Sequence, residues 1–132
     1  MTGERELEKL LKSLSPELLI GDYVYCTFPG AQYGDYSQLE PIAVISESEG
    51  LTLIVPKPKA DERNISYESV FRGITLNIHS SLDSIGLTAA FSTKLTEQGI
   101  SANVIAGYYH DHIFVQSEFA EKAIEALNEL AR

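Results

Sequence analysis

The chain has 132 residues, 44% of them hydrophobic, which suits one compact unit or two small, mutually dependent ones with a real core. Its formal net charge is −9 and its ten Lys and Arg residues are scattered, which argues against a nucleic-acid partner, since phosphate binding draws on clustered basic side chains. No apolar run approaches the roughly 20 residues of a membrane span. The opening Met1-Thr2-Gly3-Glu4-Arg5-Glu6 is charged where a signal peptide is apolar, so the expectation is a cytoplasmic protein that engages no membrane.

Taken in order, Leu7, Leu10, Leu11 and Leu14 recur at helical spacing and predict an amphipathic helix over residues 4–14, stopped by Ser15-Pro16. Residues 17–21 read as a connection, and residues 22–28 as a strand rich in aromatic and β-branched side chains. Cys26 lies in that strand with no basic neighbour to stabilise a thiolate, so it is expected to be a buried strand residue rather than a nucleophile. Residues 29–40, with Gly30, Tyr33, Gly34 and Tyr36, lack periodicity and form a polar loop, read as a solvated surface loop in preference to a lid. Residues 41–46 and 51–55 form a hairpin around Glu47-Ser48-Glu49-Gly50, ended by Pro56 and Pro58. Residues 59–64 fit one helical turn, and residues 67–71 lead into the next strand.

Residues 72–116 organise the rest. Ile74, Leu76 and Ile78 alternate with Thr75, Asn77 and His79, the pattern of a strand with one buried face. A polar loop follows, then a helix with Leu87, Ala90, Phe91 and Leu95 on one side, ended by Gly99. Two strands, residues 103–107 and 113–116, flank Tyr108-Tyr109-His110-Asp111-His112. Ser117 is a candidate N-cap for a last helix whose buried stripe is Phe119, Ala123, Ile124, Leu127 and Leu130. The order β-α-β-β-α predicts an α+β, ferredoxin-like (βαββαβ-type) fold with antiparallel sheets. The last, fourth strand of that pattern is expected from the N-terminal half or from a second chain, since an open sheet edge invites association.

Asp83-Ser84-Ile85-Gly86-Leu87 before a helix, Gly99-Ile100 after it, and Asn103-Val104-Ile105 opening the next strand resemble the signature of ACT domains, small regulatory modules that bind amino acids. Ile85 stands where the family usually has proline, and Ser101-Ala102 lengthen the approach to Asn103. The run from Gly107 to Val115 is similar to that of short bacterial tandem-ACT proteins, and a more distant likeness is to eukaryotic tandem-ACT arginine sensors. The resemblance implies two ACT-like halves, residues 1–70 as a degenerate one and residues 71–132 as a full ACT domain. It also implies an amino-acid ligand held by Asp83, Ser84, Ile85, Gly86, Leu87 and Asn103. Split βαβ topology adds His79, Ser81, Tyr108, His110 and His112 as a possible pocket rim.

Asp83 would accept the ligand's ammonium group, the helix-start N–H groups its carboxylate, and Asn103 would offer a donor and an acceptor. A structural alternative has Asp83, Ser80 or Ser81 capping the helix and Gly86 merely allowing close packing. His110 and His112 would share a face only if both lay on the strand; should Asp111 open it, the chelating geometry fails, and a hydrogen-bonded hairpin tip is preferred to a metal site. No catalytic motif or cofactor-binding loop is evident, so no enzyme, metal or cofactor is expected. The function expected is a ligand-biased regulatory homo-oligomer; the alternative is a ligand-free interaction module.

Overall fold

Alternation sets how β4 (Phe71–Asn77) lies: Ile74 and Leu76, with Ile78 just beyond, enter one apolar core while Thr75 and Asn77 turn to the opposite face. The computed structural model describes residues 2–78 and 86–132. Its other elements are α1 (Thr2–Lys12), β1 (Ser15–Phe28), β2 (Ala43–Glu47), β3 (Gly50–Pro56), α2 (Lys57–Glu62), α3 (Leu87–Glu97), β5 (Asn103–Ala106), β6 (Asp111–Gln116) and α4 (Ala120–Leu130). Short 3-10 turns occupy Ser37–Leu39 and Ser117–Phe119. Hydrogen-bonded neighbours run β2-β3-β1-β4-β6-β5, six strands among the described residues. On either side of the central β1 and β4 the order repeats: β3 then β2, and β6 then β5.

By packing, the chain forms two units, one comprising Met1–Ile20 with Arg72–Arg132 and the other Gly21–Phe71. In the first, α3 and α4 bury Leu87, Phe91, Leu95, Ala123 and Leu127 against Ile74, Leu76, Ile113 and Val115. Lys94 on α3 forms an ion pair with Glu129 on α4, which holds the Glu129 carboxyl below its usual range. Leu7, Leu10 and Leu11 add α1 to the same core. The start of β1 neighbours β4, so the N-terminal half supplies the fourth strand of this βαββα unit, as the open edge required. The Arg72 guanidinium donates to the Leu19 carbonyl (2.9 Å), and the Asn77 amide meets the Glu17 carboxylate (3.4 Å), both across these two strands.

The second unit is built on the remainder of β1, whose Tyr23 to Phe28 pair antiparallel with Pro56 to Leu51 of β3. Val24, Cys26, Leu53 and Val55 face Ala60 of α2, and burial pushes the Cys26 thiol up. Where a βαββ order has its first helix, residues 29–42 carry only the 3-10 turn, yet Leu39 from that turn is fully buried in this core. Tyr36 stacks on Phe28 with ring centroids 3.8 Å apart.

Three expected elements differ. The connection at residues 17–21 is strand: β1 starts at Ser15, because Pro16 is tolerated at a strand's first residues and β4 offers its backbone a partner. Helix α2 starts at Lys57, with Pro58 in the first turn, where a missing N–H costs nothing. Ser117 makes no side-chain cap; it opens a 3-10 turn, and α4 begins at Ala120.

Candidate ligand-binding site

The first helical hydrogen bond of α3 runs from the Ala90 N–H to the Gly86 carbonyl (2.9 Å), which makes Gly86 the residue at the helix entrance. Gly86 has φ of 94°, a left-handed conformation that glycine adopts without strain, and as the N-cap residue it brings no side chain to the helix start. Its bare Cα is close to Leu7 of α1: a Cβ at this position would lie 3.2 Å from one Leu7 methyl carbon. Leu87 points into the core and is almost wholly buried, so only its backbone faces the helix entrance. Of the other residues expected here, His79, Ser81, Asp83, Ser84 and Ile85 lie outside the described residues.

Asn103 opens β5 after α3 has ended, at the far end of that helix from Gly86. Its amide donates to the Phe114 carbonyl (3.1 Å), its register partner on β6, which commits one of its two N–H groups to fastening the hairpin.

The turn between β5 and β6 is tight. Ala106 pairs with Asp111, and the Gly107 N–H donates to the His110 carbonyl (2.9 Å), leaving Tyr108 and Tyr109 at the tip, 77% and 76% exposed. Their rings meet edge to face at 5.0 Å. Gly107 is required by the turn, since a Cβ there would come within 2.8 Å of the His110 oxygen and against the His112 ring. Asp111 opens the strand, and His110 therefore belongs to the turn, so the two histidines do not form a same-face strand pair. Among the described residues no cluster of three metal-ligating side chains occurs.

Instead, His112 turns to the face opposite the helices, where its Nδ1 and the Thr75 hydroxyl of β4 are 3.0 Å apart. Burial, and secondarily the neighbouring His110, hold the His112 imidazole below its ordinary range, with Asp111 opposing. His110 Nδ1 is buried with no hydrogen-bond partner among the described residues. Thr75 was not among the expected site residues; its signal was a polar side chain inside the apolar run Gly73-Ile74-Thr75-Leu76.

Elsewhere, an open hollow on the second unit is lined by Gly21, Asp22, Lys57, Pro58, Asp61 and Glu62. In its lining Lys57 bonds Asp61 (2.9 Å), and the Tyr67 hydroxyl donates to the same carboxylate (2.7 Å).

Two family models, each described as ACT domain, match residues 2–72 and 68–129 in tandem. The chain belongs to the ACT-domain family. No curated protein matches it. Among solved structures, this ACT protein is similar to a Vibrio cholerae protein of unknown function described as a possible transport protein, at 57% identity and TM-score 0.90, covering 98% of this chain and 99% of that one. An Agrobacterium tumefaciens protein shares the fold at 14% identity and TM-score 0.74, covering 89% of each chain. So does the regulatory subunit of aspartate kinase from Thermus thermophilus, at 12% identity and TM-score 0.64, covering 87% of this chain and 95% of that one. The family matches support a regulatory ACT module, and no helix among the described residues is long and apolar enough to cross a membrane.

Proposed function

We propose that this ACT protein is a small-molecule sensor of the cytoplasm whose ligand is an amino acid or a similar zwitterion. The observation that carries this is the entrance of α3 within the second ACT match: a left-handed glycine as the N-cap residue, and first-turn N–H groups of the kind that receive a carboxylate. Asp83 is the proposed acceptor for the ligand's ammonium group, Ser84 to Leu87 line the carboxylate end, and the Tyr108 to His112 turn, with His79 and Ser81, forms the rim. Asn103 is left out of this site, because it lies at the far end of α3 from Gly86 and its amide fastens the β5–β6 hairpin. Residues 1–70 and 71–132 act as the two ACT-like halves. Ligand binding works by population shift: it stabilises one conformation or assembly over another and so changes what a partner protein meets.

A melt of the purified protein against each common amino acid tests this. A ligand at about 100 times its dissociation constant adds about 2.7 kcal/mol, several degrees for a domain of this size. One selective shift is expected, lost in Asp83→Ala while the ligand-free midpoint stays within about 2 °C. Shifts that survive Asp83→Ala move the site elsewhere.

The second reading, a ligand-free assembly module, is favoured by one feature. Edge strand β2 leaves Val44 and Ile45, with Ile42 beside it, exposed and in sequence. Homo-oligomerisation through this edge is compatible with either function.

A further inference from the structure

Strand β2 ends the sheet, and β3 pairs with only one of its two sides. Their hairpin turns through Ser48 and Glu49, between the register partners Glu47 and Gly50. A two-residue turn closes on a hydrogen-bonded pair, and such pairs alternate along an antiparallel ladder. Glu47, Ile45 and Ala43 therefore bond inward to β3, while Val44 and Ser46 turn their N–H and C=O groups outward. The free edge stops at Ala43, because the Ile42 N–H, which the alternation would aim outward, donates instead to the Ile54 carbonyl (2.8 Å). What remains is a strand whose outward backbone groups are placed evenly about Ile45. Exposed edges are commonly guarded by Lys or Pro, and residues 43–47 hold neither. Val44 and Ile45 are 36% and 43% exposed and point to opposite faces, so apolar side chains meet solvent on both.

We infer that the occupant of this edge is β2 of a second copy of the chain, paired antiparallel about a two-fold axis at Ile45. This deepens the reading of β2 as an assembly edge and rests on it. In that register Val44 of one copy faces Ser46 of the other, each such pair exchanging both backbone bonds, and Ile45 packs against its own counterpart. Charge decides between this pairing and others. Glu47, the one charged residue of the strand, meets Ala43, and the two Glu47 residues lie at opposite ends, roughly 13 Å apart along the strands and beyond the Debye length of about 8 Å. Each is also held by its own β3, where the Thr52 hydroxyl donates to the carboxylate. A parallel pairing would set Glu47 beside Glu47, in chains that each carry a net charge of −9. An isologous contact uses the edge up, so assembly through β2 stops at two copies.

Disulfide cross-linking of the full chain tests the register, with light scattering of wild type giving the mass. Cys26 is buried and does not compete. Ile45→Cys puts two thiols at the axis with Cα atoms about 4.5 Å apart, within disulfide reach. Ala43→Cys and Glu47→Cys, on the same face, each place their two thiols too far apart to join, but face one another across the axis. The expected result under mild oxidation is that Ile45→Cys cross-links at least about tenfold faster than either of the other two alone, and that Ala43→Cys mixed with Glu47→Cys cross-links as a pair. Selective cross-linking with a monomeric wild-type mass supports the same pairing at lower affinity. A dimeric wild type in which Ile45→Cys is no faster than the other two overturns the two-fold at Ile45 and leaves assembly standing. A monomeric wild type with all three variants cross-linking alike overturns the pairing and the assembly reading together.

Discussion

His112 shows how one residue ties packing to solution conditions. Its Nδ1 lies 3.0 Å from the Thr75 hydroxyl on β4, and its imidazole is held below its ordinary pKa of 6.5 chiefly by burial. The unfolded chain therefore takes up a proton near its ordinary value while the folded chain still refuses it. Stability from this group is intact above about 6.5 and declines as pH falls toward the depressed folded value. Midpoints measured from pH 7.5 down to pH 5 should drop more steeply in wild type than in His112→Gln; parallel curves would mean His112 is free to protonate in the folded state. Gly86 was legible in the sequence because its position before a helical pattern and its likeness to a family loop agreed. The contact that fills the space beside it was not, since nothing in the spacing of Leu7, Leu10, Leu11 and Leu14 says which neighbour each leucine meets.

Among elements, the segment between β1 and β2 behaves unlike an ordinary loop. Leu39 is 0% exposed within the core of its unit, whereas Tyr33 six residues earlier is 84% exposed. Leu39→Ala is expected to cost about 2–5 kcal/mol, as a cavity in a packed core does, and Tyr33→Ala less than about 0.5 kcal/mol. Urea denaturation of the two variants checks the contrast; similar midpoints would show that the loop does not fill the core. Sequence periodicity found α3, β4 and the β2–β3 hairpin because each has one buried side and a local turn signal. It shortened β1, since Pro16 and Gly21 look like punctuation until a neighbouring strand is there to hold the backbone extended. It placed a cap at Ser117 because a capping serine and the start of a 3-10 turn look alike before hydrogen bonds are known.

For the whole molecule, the outer strand β2 offers an apolar edge to other chains. It puts Val44 and Ile45 in solvent beside unpaired backbone, the arrangement that favours strand addition. Ile45→Lys places a charge on that edge and should shift the mass measured by light scattering toward the monomer without lowering the melting midpoint. A mass unchanged from wild type would remove β2 from any assembly. The strand β1 has a different consequence, one of timing. Gly21–Phe71 is continuous in sequence and closes on itself, but the segment through Ile20 packs with Arg72–Arg132. During synthesis at about 5–20 residues per second, the middle of the chain is free to fold while the first helix and the start of β1 still wait for partners that have not left the ribosome. Residues 2–20 are thus made well before the strands and helices they pack against.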